Sequence, residues 1–158
     1  MVITIRLAKE EDQLKAQSLI IQTIRKINAR DYSPEQIRLW CGTNRRPWKM
    51  TQNGKPIKRL LAFDGSKMVG VANGLNTAKH SIRGLYIAHT HLRRGIGSRL
   101  LKRLERWAEG NGWKELCFAS TLTAVPFYEK MGYIKTRRGS HRLGRLVIPC
   151  VHMKKRLD

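Results

Sequence analysis

Acidic side chains are scarce in this sequence: 11 Asp and Glu stand against 32 Lys and Arg, a formal charge of +21 on 158 residues. The excess is not a tail. Residues 1–79 carry 15 basic and 6 acidic side chains, and residues 80–158 carry 17 and 5. Such a surface attracts polyanions in a salt-dependent way, so nonspecific nucleic-acid binding is expected of it. It also has few carboxylates from which to build a pocket for a polycation. Long apolar runs are missing: none approaches the roughly 20 residues that cross a bilayer, and no membrane partner is expected. The amino terminus, MVITIRLAKEED, turns acidic where an export signal would place its apolar segment. The three cysteines, Cys41, Cys117 and Cys150, are odd in number, far apart and in no metal-binding pattern. Reduced thiols in the cytoplasm, and no metal, are the expectation. Aromatic residues make up only 7% and fall mostly at positions that read as core, which leaves little for stacking nucleic-acid bases. No repeat or low-complexity block is present, and a hydrophobic share of 41% argues against a disordered chain.

What is present is one domain's length of alternating strand and helix signals, residues 1–158. Val2 to Leu7 alternates as a strand. Glu10 to Asn28 repeats Leu14, Leu19, Ile20, Ile21, Ile24 and Ile27 at helical spacing, with acids at its start and Arg25 and Lys26 near its end. Ser33-Pro34-Glu35-Gln36 is a capping-box signal with proline at the first helical position, and the short helix it opens ends near Gly42. Thr43 to Pro56 reads as a basic loop anchored by Trp48. Leu60–Phe63 and Met68–Leu75 flank Asp64-Gly65-Ser66-Lys67, a hairpin, and Asn76 to His80 leads onward. Leu116–Ala119 reads as a buried strand, followed by a helix that Thr121 or Thr123 can cap, with Pro126 in its first turn and Gly132 at its end. Tyr133–Arg137 and Leu146–Met153 make two last strands joined by a glycine-containing basic loop. The predicted order is βααβββαβαββ, a mixed α/β (α+β) fold.

The chain is organised around residues 82–107. Leu85-Tyr86-Ile87 fits a half-buried strand. A basic loop follows, Thr90 to Arg94, then Gly95-Ile96-Gly97-Ser98 opens a helix whose apolar stripe is Ile96, Leu100, Leu101, Leu104, Trp107 and Ala108. The helix stops at Gly110-Asn111-Gly112. A strand, a glycine turn and a helix aim unpaired N–H groups and the positive end of the helix dipole at one spot, where a phosphate can sit. Gly95 is expected to supply a backbone conformation closed to other residues, and Gly97 to let a phosphate approach. No Gly-Lys-Ser/Thr follows, so this is not a Walker loop, and it lacks the third glycine of the dinucleotide fingerprint.

Leu92-Arg93-Arg94-Gly95-Ile96-Gly97, following Leu85-Tyr86-Ile87, resembles the acetyl-CoA motif of the GNAT superfamily of N-acetyltransferases, Gln/Arg-x-x-Gly-x-Gly/Ala. Ser120-Thr121-Leu122-Thr123-Ala124-Val125-Pro126-Phe127-Tyr128-Glu129-Lys130-Met131-Gly132-Tyr133 is similar to the family's second motif, Ala-x-x-Phe-Tyr-x-x-x-Gly-Tyr/Phe. Leu92 stands where the family has Gln or Arg, and His89 where many members have Pro. The resemblance implies a mostly antiparallel sheet splayed between its fourth and fifth strands, helices on both faces, and acetyl-CoA as cosubstrate in the gap. It implies contacts to that molecule from Leu85, Tyr86, Ile87, Arg93, Arg94, Gly95, Ile96, Gly97, Ser98 and Lys130. It also places the first two helices and their linker beside the acceptor.

Moving an acetyl group from a thioester to an amine needs a neutral amine, a stabilised oxyanion and a proton for the departing thiolate. Tyr128 is the candidate acid: Phe127 and Tyr128 point about 100° apart on a helix, so one can pack while the other faces the cleft. The oxyanion donor implied by the family is a backbone N–H of the Leu85–Ile87 strand. For the base, the positions before that strand, His80 to Gly84, hold no carboxylate; His89, His91, Asp31 and Glu35 stand open as candidates. The expected activity is direct transfer in a ternary complex to a primary amine of a small molecule or peptide, neutral or anionic overall, by a monomer or homodimer. The alternative is a basic nucleic-acid- or ribosome-associated GNAT-fold module with weak or no catalysis.

Overall fold

The computed structural model describes residues 1–76 and 80–158. The expected connection from Asn76 to His80 therefore falls largely outside the described residues. Strand β1 (Ile3–Leu7) is followed by helices α1 (Gln13–Lys26) and α2 (Pro34–Thr43). A two-residue ladder, β2 (Thr51–Gln52) with β3 (Lys55–Pro56), precedes β4 (Leu60–Asp64) and β5 (Lys67–Ala72). A second small ladder, β6 (Leu75–Asn76) with β7 (Ser81–Ile82), leads to β8 (Leu85–Ile87) and α3 (Ile96–Gly110). The chain continues through β9 (Glu115–Thr121), α4 (Val125–Lys130), β10 (Ile134–Leu143) and β11 (Leu146–Arg156).

The predicted order holds, and the local signals account for much of it. Ser33 caps α2 as its residues require: the Gln36 N–H donates to Ser33 Oγ, and the Ser33 N–H donates back to Gln36 Oε1 at 2.8 Å. The Gly65-Ser66 turn closes the β4–β5 hairpin. Three expectations need correction. Met68–Leu75 is not one strand, because the chain turns at Asn73-Gly74, where Gly74 takes φ +85°. Thr43–Pro56 is not loop throughout; Asn53-Gly54, both at positive φ, make the tight turn of the β2–β3 ladder. The basic loop expected after Arg137 is strand: β10 runs to Leu143, and only Gly144-Arg145 turn.

The strands form two antiparallel sheets, β1-β4-β5-β8 and β10-β11-β9. Among the described residues no ladder joins β8 to β9; below them the Cys117 N–H donates to the His80 carbonyl at 3.2 Å. The sheets touch there and part above it. On one face α3 lays Ile96, Leu100, Leu101 and Leu104 against Ala62, Val69 and Ala72 of the first sheet and Leu116 and Phe118 of the second. One apolar helix stripe thus bridges both sheets, each side chain contributing roughly 1.5–3 kcal/mol by leaving water. On the other face α1 and α2 bury Ile20, Ile24, Ile37 and Cys41 over Leu61, Val71, Tyr86 and Ile148. Helices on both faces with a gap between β8 and β9 leave one cleft opening toward α2. No helix is long and apolar enough to cross a membrane among the described residues.

Candidate active site

The gap between the sheets is a cleft of about 380 Å³, bounded by Leu85 and Tyr86 of β8, Phe118 to Thr121 of β9, and Tyr128 of α4. Its mouth is built by Tyr32 and Trp40 from the α1–α2 region and by His141, Arg142 and Leu143 at the end of β10. Tyr32 fixes that frame: its hydroxyl donates to the Pro149 carbonyl at 2.7 Å and accepts the Leu122 N–H at 2.9 Å. One side chain thereby ties α2 to β11 and to the turn between β9 and α4.

Four tyrosines are present, and hydrogen bonds engage the hydroxyls of two of them among the described residues. Tyr32 is engaged as above. Tyr133 donates to the buried Glu105 carboxylate at 2.9 Å, and Tyr86 is buried in the cluster against which Trp40 packs. Tyr128 lines the cleft, is 4% exposed, and among the described residues its hydroxyl has no partner. Burial in the cluster of Phe118, Phe127 and Tyr133 pushes its pKa above the ordinary tyrosine value, so the proton stays on the oxygen.

Strand β8 presents its free edge to the same space. Asn73 N–H donates to Gly84, and Ala88 N–H to Val69, so Gly84, Tyr86 and Ala88 point their backbone groups at β5. By strand alternation the N–H groups of Leu85 and Ile87 point the other way, into the gap. The Ile87 carbonyl on that side accepts the Thr23 hydroxyl at 3.2 Å.

At the end of β8 the loop 93–98 turns into α3. Arg93 and Gly95 both take left-handed backbone, φ +59° and +74°, and a Cβ on Gly95 would meet only open space. Gly95 is there for its conformation. The N–H groups of Ile96, Gly97 and Ser98 have no backbone partner among the described residues, so this helix end fits a phosphate. The Thr123 hydroxyl, on the turn that leads into α4, is a buried polar atom without a partner. Arg93 and Arg94 are exposed beside the loop. Arg99 is not available to it, because its guanidinium donates to the Ile3 carbonyl at 2.9 Å.

Gly97 has a packing role beside the one expected. A Cβ there would lie 3.3 Å from the Phe127 ring and 3.6 Å from Ile87, so the glycine lets α3 close onto α4 and β8. Gly97→Val is expected to cost about 1–3 kcal/mol by overpacking. Phe127→Leu should recover part of that loss in a double-mutant cycle followed by urea unfolding. If the loss is the same with either residue at position 127, packing is not what requires the glycine.

The remaining candidates lie outside the cleft. His89 is exposed, with Nε2 3.2 Å from the Lys26 ammonium. His91 is buried and held between Thr90 Oγ1 at 2.7 Å and Asp64 Oδ2 at 3.2 Å, pinning the β4–β5 hairpin to the phosphate loop. Asp31, Glu35 and Lys130 are exposed and do not line the cleft. What sequence reasoning missed is the mouth. His141, Arg142 and Leu143 reach it only because β10 continues as strand, and Arg83, also on the lining, sits in the turn between β7 and β8. Of the lining residues, Arg83 and Arg142 are charged and none is a carboxylate.

The splayed sheet with helices on both faces is matched among known proteins. Residues 28–157 match the Acetyltransferase (GNAT) domain family. The uncharacterised N-acetyltransferase YafP of Escherichia coli K12 is 27% identical over 116 residues, 73% of this chain and 71% of that protein. The crystal structure of a GCN5-related N-acetyltransferase from Rhodopseudomonas palustris superposes with a TM-score of 0.88 at 25% identity, covering 99% of each chain. The PaiA N-acetyltransferase of Thermoplasma acidophilum, solved in complex with coenzyme A, superposes at 0.77 with 22% identity and 99% of each chain covered. With a family match over most of its length and this fold around this cleft, the chain belongs to the GNAT acetyltransferases.

Proposed function

We propose that this acyltransferase binds acetyl-CoA at the loop 93–98 and passes the acetyl group directly to a primary amine of a small molecule or peptide that is neutral or anionic overall. One observation carries the reading: the Tyr128 hydroxyl, without a hydrogen-bond partner among the described residues, lies in the cleft that β8's free N–H groups face. The roles follow from that placement. The Leu85 or Ile87 N–H stabilises the oxyanion, and Tyr128 protonates the departing thiolate. Backbone N–H groups of Ile96, Gly97 and Ser98 hold the pyrophosphate, with charge from Arg93 and Arg94. Arg83, His141 and Arg142 at the mouth favour an acceptor without net positive charge.

The test is release of free thiol from acetyl-CoA over a panel of amino acids, acidic and basic peptides, and polyamines. Acceptor-dependent release with neutral or acidic amines is expected. Coenzyme A binding with no release from any amine would contradict the transfer reading.

A further inference from the structure

The two outer strands of the sheets are treated differently. In β1 the outward carbonyls of Ile3 and Ile5 are covered by Arg99 and Arg103 from α3, at 2.9 and 2.7 Å. Strand β10 is the outer strand of the second sheet, and among the described residues nothing covers its free side. Its direction can be worked out. The Val147 and Pro149 carbonyls of β11 accept from Gln36 and Tyr32, on the side away from β10, so Ile148 and Cys150 face β10 and pair with His141 and Gly139. Arg138, Ser140 and Arg142 therefore point their backbone N–H and C=O outward. The side chains of Arg137, Arg138, Ser140, His141 and Arg142 are all exposed, and none of these arginines has a carboxylate partner among the described residues. The strand ends at the cleft mouth.

We propose that the edge of β10 from Arg138 to Arg142 docks an extended acidic polypeptide segment by strand addition, delivering it to the mouth of the cleft. The proposal extends the acceptor reading above, and its test measures binding alone, so it stands or falls separately from catalysis. Alternating N–H and C=O groups are matched by another peptide backbone, whereas a nucleic acid offers phosphate acceptors and bases to stack. Residues 134–156 contain no Phe, Trp or Tyr for stacking. A second copy of this chain would set arginine against arginine across the new ladder, which is unfavourable. Acidic side chains on the added strand instead meet Arg138 and Arg142 on one face and Arg137 on the other.

Fluorescence anisotropy with a labelled decapeptide of alternating Glu and Val tests this. Two twins, N-methylated at odd or at even backbone positions, and a labelled single-stranded DNA of the same net charge complete the set. Ser140→Pro removes an outward N–H while leaving the inward pairing of β10 and β11 intact, a position where proline is tolerated. It should leave acetyl-CoA affinity unchanged and weaken the peptide about three- to tenfold, the worth of one backbone hydrogen bond. One N-methylated twin should bind more weakly and the other like the parent peptide. Equal binding by both twins, together with indifference to Ser140→Pro, would overturn the proposal, as would DNA binding that exceeds the peptide's and ignores Ser140→Pro.

Discussion

Tyr128→Phe is expected to lower turnover by about 10² to 10⁴ while leaving the fold and the affinity for acetyl-CoA in place. The substitution deletes only an oxygen, and among the described residues that oxygen has no hydrogen-bond partner to strand. The ring's contacts with Phe118 at 4.4 Å and Phe127 at 5.1 Å are kept. Stability should therefore hold, since among the described residues no hydrogen bond is lost and the ring stays packed. The pH dependence gives a second readout. Because burial raises the pKa of Tyr128, the acid form persists to higher pH than in a solvated tyrosine, and wild-type turnover should show no fall near the ordinary value of roughly 10 from this group. Turnover of the phenylalanine variant equal to wild type, with thermal melting unchanged, would make Tyr128 a packing residue and pass the proton's role to water.

The parts of this fold that were legible in the sequence are those set by local chemistry. Ser33 and Gln36 sit three apart and cap each other; Gly65-Ser66 lies between two apolar runs; the stripe of α3 repeats at helical spacing. Each needs only a few neighbouring residues. The end of β10 was not legible because it is a long-range result. Arg137, Arg138, Gly139 and His141 have no marked strand preference, and they extend only because Val147 to His152 line up opposite them. One local signal was available: Gly144-Arg145 between two leucines is a two-residue hairpin turn, which extends both strands up to it.

The site divides in the same way. Gly95 was readable, since a glycine before an apolar helix stripe asks for a left-handed turn, and it takes one. Gly97 was not, because the ring that requires its bare α-carbon belongs to Phe127, far along the chain. Two glycines in one motif thus answer to different causes, one to backbone conformation and one to helix packing. Tyr128 could be nominated from its motif, but only the hydrogen bonds of Tyr32 and Tyr133 set those two apart from it.

Raising the salt should weaken an anionic acceptor steeply and a neutral one hardly at all. The chain carries +21, so its far field draws anions inward. At the mouth the field is local as well: Arg83 and Arg142 line it, and the scarce carboxylates are elsewhere. Asp12 is spent on Arg6 at 2.7 Å, Glu105 on Tyr133 and Lys155, Asp64 on His91, and Glu115 lies 3.9 Å from Lys154. A polyamine or an aminoglycoside would meet two arginines and no counter-charge. Two solvated charge pairs at contact are worth about 1–2 kcal/mol in all, roughly 5- to 30-fold in affinity, and the screening length falls from about 10 Å at 0.1 M to about 3 Å at 1 M. KM for an acidic amine, measured with acetyl-CoA saturating at each ionic strength, should therefore rise by about that factor across the range. Acetyl-CoA is itself anionic, and saturation removes its own salt effect from the comparison. Efficient turnover of spermidine, with a KM that holds or falls as salt is removed, would mean that the cleft ignores the charge around it.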